Sequence, residues 1–268
     1  MRPKWRQADI RAFEMTMENI ELANTFINLV TGDNGASARI VSAFGPEGPI
    51  PPFNLMDSSH PCFSSLRDNT PAAIHGFLSF QGGTPLGIAC SFAKESGSFG
   101  YCGFNLVHQW RSGSMLNGPQ MDIPLAVRNL VALGADPNNG NPGPLFHALS
   151  QGLPATVRTL CACGADPLAR WKGDTVLHVA IRGLEGFHRN DKGAQALMIK
   201  TLIGCGADPL VRDDRGMTAM DIAFDLHSRN GSSNEEALHI LESAEESLRL
   251  EMAIRAAGDW NSGNYFSV

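Results

Sequence analysis

The string Ser91-Phe92-Ala93-Lys94 has the S-x-x-K spacing that places a lysine beside a nucleophilic serine. The partner motifs that complete such a site are absent, and the string falls where a short helix is expected to end. Nucleophilic catalysis is therefore not expected from it. Gly97, Gly100 and Gly103 form a glycine-rich run, GSFGYCGF, of the kind that lets backbone amides close on a phosphate. It lacks the lysine and the strand–loop–helix setting that phosphate binding needs, so an inserted loop is the expected form. Cys161 and Cys163 make a C-x-C pair, but no second pair follows at the spacing of a zinc site. His147, His188 and His239 are scattered through different segments with no shared ligand spacing. No H-E-x-x-H, nucleophile elbow or Walker pattern occurs. No catalytic residue, metal site or cofactor is expected, and the chain reads as a non-enzyme.

Composition narrows the partners. The 268 residues carry 21 Lys and Arg against 27 Asp and Glu, a net charge of -6. With no dense basic run, electrostatic binding to nucleic acid or to an anionic membrane is not expected. The uncharged stretch from Asn69 to Ala93 is broken by Gln81-Gly82-Gly83-Thr84-Pro85. It reads as two short apolar helices around a turn rather than a membrane span. Basic residues near the start are followed by no apolar run of signal-peptide length. The six cysteines (62, 90, 102, 161, 163, 205) are thus expected as reduced thiols of an intracellular protein, cytoplasmic or nuclear.

The elements that position the side chains are organised by a repeat. LVALGADPN (130–138), LCACGADPL (160–168) and LIGCGADPL (202–210) align, with Gly134, Gly164 and Gly206 spaced by 30 and 42 residues. A second signature alternates with the first: TPLGIA from Thr84, GPLFHA from Gly143, TVLHVA from Thr175 and TAMDIA from Thr218. Thr175 can cap a helix with its hydroxyl, and Pro85 and Pro144 fall where a first-turn N–H has no helical partner. The repeated glycines suit the left-handed residue that ends a helix. Asp136, Asp166 and Asp208, each followed by proline, start turns.

These residues resemble the ankyrin repeat: a T-P-L-H-x-A helix, a turn, a second helix ending in L-L-x-x-G-A-D, then a β-turn finger. The resemblance covers roughly residues 80 to 250. It implies an all-α solenoid of stacked helix-turn-helix units with β-turn fingers. Units would start near residues 81, 140, 172 and 215, within an array spanning 81–257, followed by a tail at 258–268. It also implies a hydrogen-bonding structural role for His178. Surplus residues fall between the two helices of several units: after Thr84, around GLEGFHRNDKGAQ, and near HSRNGSSNEE (227–236). Gly143 and Phe146 stand where the pattern has Thr and His, which weakens capping of that unit. Glu235–Ala257 reads as a C-terminal capping helix, with Leu238, Leu241, Leu248 and Met252 as its apolar stripe and Glu242, Glu245, Glu246 and Glu251 on other faces. An acidic interaction helix is the alternative.

Residues 9–80 read as a divergent helical cap, helical from Asp9 to Val30 and again over Ala36–Phe44. GPEGPIPPFNLMD (45–57) is expected to break both helix and sheet and holds two P-x-x-P spacings. A separate small N-terminal domain stays open as an alternative. Cys161, Cys163 and Cys205 read as packing residues.

Ankyrin-like arrays bind through finger tips and the concave face of the first helices. Carried over, this points to Phe80, Gln81, Ser91 and Phe92 in the first unit and Asn139, Ser150 and Gln151 in the second. It adds Trp171, Lys172, Asp174 and Arg182 in the third, and Asp214, Arg215, Met217 and Asp225 in the fourth. Trp171 stands out, since Trp and Arg dominate interface energetics. The expected function is a monomeric adaptor or scaffold binding a protein partner. Two alternatives remain: an effector or enzyme-associated protein whose N-terminal 80 residues act while the repeats select the target, and the substrate-recognition subunit of a ubiquitin ligase complex.

Overall fold

Helix starts in this chain are written by local chemistry. The Thr84 hydroxyl accepts the Gly87 N–H at 3.2 Å and the Asp122 carboxylate accepts the Leu125 N–H at 2.9 Å. Each satisfies one of the donors that a helical first turn leaves over. Gly143 has no side chain to do this, and its helix starts with no side-chain cap, as its sequence implies. A computed structural model describes residues 18, 21–22, 25–26, 28–50, 53–54, 79–80, 83–91, 122–182, 192–230 and 235–263. The elements in order are α1 (Asn34–Phe44), β1 (Phe53–Asn54), β2 (Ser79–Phe80), α2 (Pro85–Cys90), α3 (Ile123–Ala132), α4 (Pro144–Ser150), α5 (Pro154–Ala162), β3 (Arg170–Trp171), β4 (Asp174–Thr175), α6 (Val176–Arg182), α7 (Lys192–Gly204), α8 (Ala219–Asn230) and α9 (Glu235–Gly263). The described chain is thus mostly helical, with two short antiparallel strand pairs.

Two compact units divide at Ala165 and Asp166. In the first, α2 pairs with α3 and α4 with α5; α2 also packs on α4 and α3 on α5. The second repeats this plan: α6 pairs with α7 and α8 with α9, while α6 packs on α8 and α7 on α9. Within each unit the first helices therefore form one row and the second helices another. Ala89, Ala148 and Ala180, at the same place in three first helices, are buried, and a small side chain there lets helices approach closely. Leu130, Leu160 and Leu202, at the same place in three second helices, are each 0% exposed.

The three GADP segments end their helices in one geometry. Gly134, Gly164 and Gly206 have φ of 101°, 97° and 99°. The following alanine donates to the leucine carbonyl five residues back: Ala135 to Leu130 at 3.1 Å, Ala165 to Leu160 at 2.9 Å and Ala207 to Leu202 at 3.0 Å. Each aspartate then accepts the N–H two residues on at 2.8 Å: Asn138 at Asp136, Leu168 at Asp166 and Leu210 at Asp208. These are Schellman-type helix ends running into Asx turns.

The N-terminal third differs from its sequence reading only in the 45–57 stretch. Its described residues up to Phe44 are helical on either side of a turn at 31–33, and they pack on the first helix pair. α1 lies on α3, the Asp122 N–H donates to Val30 O at 2.9 Å, and Asn129 Nδ2 donates to Gly32 O at 3.2 Å. The 45–57 stretch does not exclude sheet, however. Ile50 bridges Gly83, and β1 pairs with β2 in the register Phe53–Phe80 and Asn54–Ser79. Pro51 and Pro52, which have no N–H to donate, separate the Ile50–Gly83 bridge from the short ladder of β1 and β2.

The surplus after the fourth signature is partly helix: α8 has 12 residues where α4 and α6 have seven. The other two insertions lie largely outside the described residues. The last helix runs to Gly263 rather than ending at Ala257. Of its expected stripe, Leu241 is buried and Leu238 and Leu248 are half-buried, but Met252 is 59% exposed. The packed face runs through Ala237, Leu241 and Ala244 and brings in Glu245, whose side chain is 14% exposed and pairs with Arg249 at 3.1 Å. Residues 249–256 are exposed on all sides, so a stripe drawn on the wheel alone extends too far.

Candidate functional site

Two fingers of the second unit, residues 166–175 and 208–218, hold six of the sequence candidates: Trp171, Lys172, Asp174, Asp214, Arg215 and Met217. In the first, β3 and β4 close over Lys172 and Gly173, whose φ values are 52° and 83°. Two central residues with positive φ make the primed turn whose twist matches paired strands. The Lys172 ammonium lies 4.5 Å from the Trp171 ring centroid, in cation–π range. Gly173 is required by its surroundings as well as its backbone: a Cβ there would sit 2.2 Å from Asp214 Oδ2. Arg170 ties the fingers together, donating to Arg212 O at 2.7 Å and Gly173 O at 3.3 Å.

Beneath this surface lies a buried polar network. The Asp213 side chain is 1% exposed, and its Oδ1 accepts the Arg215 and Met217 N–H groups, each at 2.9 Å. Its Oδ2 takes a hydrogen bond from Arg182, and Arg215 Nε lies 3.5 Å away. The other end of the Arg182 guanidinium bonds Asp174, so one arginine bridges two carboxylates from different fingers. His178, 0% exposed, completes the link. Its Nδ1 faces the Thr175 hydroxyl at 2.6 Å and the Thr175 N–H at 3.3 Å, and its Nε2 faces Met217 O at 2.9 Å. Nδ1 therefore accepts and Nε2–H donates, which assigns a neutral imidazole holding the second finger's backbone.

The electrostatics follow. Burial alone would raise the Asp213 pKa, but the Met217 N–H, the Arg182 guanidinium and the Arg215 N–H outweigh it and hold the carboxyl down at about 2. For Arg182, burial opposes the charge, while hydrogen bonds and Coulomb attraction from Asp174 and Asp213 raise its pKa on balance. A carboxylate with a depressed folded-state pKa stabilises the fold above its unfolded pKa and loses that contribution as pH falls. Asp213 should thus contribute about 2 kcal/mol that disappears between roughly pH 4 and pH 2. Urea titrations across this range should show the loss, and Asp213→Asn should flatten it. An unchanged acid slope in that variant would remove Asp213 from this role.

The structure sorts the expected partner-binding residues. Lys172, Asp214 and Arg215 are exposed, while Trp171, Met217 and Asp225 are half-buried. Asp174 and Arg182 are half-buried and ion-paired to each other, and Arg182 also pairs with Asp213, so their charged groups are engaged within the fold. Ser91 is corrected: it is buried, and its hydroxyl donates to Gly87 O at 2.8 Å. His147 Nδ1 lies 3.2 Å from that oxygen. With the serine proton already given to Gly87, Nδ1–H is the donor of this contact, so no base is aimed at Ser91. Burial also lowers the His147 pKa. Ser150 and Gln151 are half-buried at the end of α4, with the Ser150 hydroxyl donating to His147 O at 2.8 Å. Phe80 lies in β2, and Gln81 and Phe92 fall outside the described residues. Asp213 is the residue that sequence reasoning missed. Its signal was an Asp placed before a Gly in Asp213-Asp214-Arg215-Gly216, where an Asx turn binds the amide two residues on.

Among the described residues, no group of three His, Cys, Asp or Glu side chains could hold a metal ion. Burial pushes the Cys90 thiol far up, which leaves it an inert packing group. Among these residues, too, no helix is long and apolar enough to cross a membrane. The arrangement can display a rigid, two-signed surface held from beneath. Compared with known proteins, the chain matches no protein-family model and no curated sequence.

Proposed function

We propose that the chain is an ankyrin-repeat interaction module, an adaptor or scaffold that binds a protein partner through its finger tips. The observation that carries this reading is the threefold recurrence of one helix-end geometry, with the same glycine φ, backbone bond and Asx turn at residues 130–138, 160–168 and 202–210. The paired rows of helices within each unit support it as well. With Ser91 and Arg182 used internally, the contact surface shifts from the first helices toward the fingers, to Trp171, Lys172, Asp214, Arg215 and Met217. A preorganised surface of this kind loses little conformational entropy on binding. In this reading the module acts as a monomer in the cytoplasm or nucleus, without cofactor, nucleic acid or membrane.

Proximity labelling with the whole chain tests it, run beside Trp171→Ala, Lys172→Glu and Arg215→Glu. Lys172 and Arg215 are exposed and Trp171 is half-buried, and circular dichroism of each variant checks that the helices are retained. At least one reproducible partner should fall by about tenfold in one or more variants, the scale of an interface hot spot. If every specific partner survives all three changes, the finger surface is not the binding face.

A further inference from the structure

The segment Gly45-Pro46-Glu47-Gly48-Pro49 contributes nothing to the fingers described above, yet it is tightly built. Gly45, at φ 77°, turns the chain at the end of α1 and donates to Val41 O at 2.7 Å. A Cβ on Gly48 would fall 1.4 Å from Phe44 O, so the loop curls back on the helix with no room for a side chain. This curl aims Glu47 at the finger that follows α3. One carboxylate oxygen of Glu47 accepts the Asp136 N–H and the other accepts Asn139 Nδ2, 89 and 92 residues away. Pro46 lies beside them, 3.7 Å from where a Cβ on Gly134 would be. The finger's own aspartate is occupied, since Asp136 accepts the Asn138 N–H.

We propose that this finger carries a carboxylate-binding notch, formed by the Asp136 amide and the Asn139 side chain beside Gly134. Glu47 fills it as a built-in occupant, and an acidic, proline-flanked peptide takes its place when the strap lifts. Two features support exchange. Among the described residues the notch holds the carboxylate through two neutral donors at a half-exposed site, so displacing it breaks no buried ion pair among them. The notch is also particular to this finger: the other two GADP turns have Ala169 and Val211 where the first has Asn139. The proposal deepens the interaction reading and rests on it for the outside competitor. The two fail separately, because peptide binding is measured on the purified chain without any cellular partner.

The test uses a fluorescent peptide of the strap's own sequence, AFGPEGPIPP, titrated by anisotropy into the full chain. Wild type, with its notch filled, should bind weakly. Glu47→Ala should bind about tenfold tighter, the scale of a charge-assisted hydrogen-bond pair. That gain should vanish when the peptide's Glu is replaced by Ala, and when Asn139→Ala is added to the protein. Glu47→Gln keeps the strap's shape and should show a smaller gain, which keeps the test open if Glu47→Ala folds poorly. Equal affinity for wild type and both Glu47 variants would overturn the proposal. So would binding indifferent to the peptide's glutamate or to Asn139, or no saturable binding at all.

Discussion

Arg182→Ala should lower stability by about 3 kcal/mol in urea denaturation at neutral pH, within the range for removing one partner of a buried ion pair. The reason is the state in which Asp213 is left. Its side chain is 1% exposed, and Arg182 is the cation that touches Oδ2 within hydrogen-bond distance. Two backbone N–H groups on Oδ1 remain, and Arg215 Nε at 3.5 Å gives partial compensation, so the loss stays below that of a wholly orphaned charge. Asp174 loses its partner as well, but at 23% exposed it can recruit water. Arg182→Lys should recover less than half of the loss, because a single ammonium cannot span two carboxylates as the planar guanidinium does. The combination Arg182→Ala with Asp213→Asn should be less destabilising than the sum of the two single changes, since it removes the uncompensated charge. A loss under about 1 kcal/mol for Arg182→Ala would place the arginine among ordinary surface ion pairs and end its role as the clamp between fingers.

The second large effect is expected in the other unit. Leu160→Ala should lower stability by about 3 kcal/mol, through lost apolar transfer and the cavity left behind. Leu160 is 0% exposed in α5, which packs on both α3 and α4. Its carbonyl accepts the Ala165 N–H that closes the helix, so the side chain sits where two packing directions meet the turn. Neighbouring positions provide the control. Cys161 and Cys163 are half-buried, and Cys163→Ala should change stability by less than about 1 kcal/mol. Leu160→Ala costing no more than Cys163→Ala would mean that the second helices are not packed as described.

These effects divide along the line between what was readable in advance and what was not. The helix ends were legible. A glycine at positive φ, an alanine bonding five residues back and an aspartate binding the amide two residues on are all settled within a short stretch of chain. So was the missing side-chain cap at Gly143. The long-range partners were not. Arg182 was expected to be a contact residue because the ankyrin resemblance implies that the concave face of the first helices binds partners. It became a structural clamp because Asp213, 31 residues away, returns to meet it. Asp213 and Asp214 are adjacent and chemically identical, yet one is 1% and the other 76% exposed, and only the path of the finger distinguishes them. The strap at Glu47 and the pairing of Phe53–Asn54 with Ser79–Phe80 were hidden for the same reason, since each joins residues far apart in the chain.

The sequence by itself determined the periodic part of this protein: mostly helical structure and three equivalent helix ends, with recurring buried alanines and leucines between them. Short-range hydrogen bonds and apolar spacing suffice for that, because their partners are close neighbours. Tertiary structure decided which polar residues face solvent and which are locked beneath the fingers. Coulomb energy and desolvation depend on the distance and burial reached when separate stretches of chain meet. That is why the expected binding surface lost Ser91 to the interior and Arg182 to an ion-paired clamp, and why Asp213 and Glu47 emerged as anchors of the fingers.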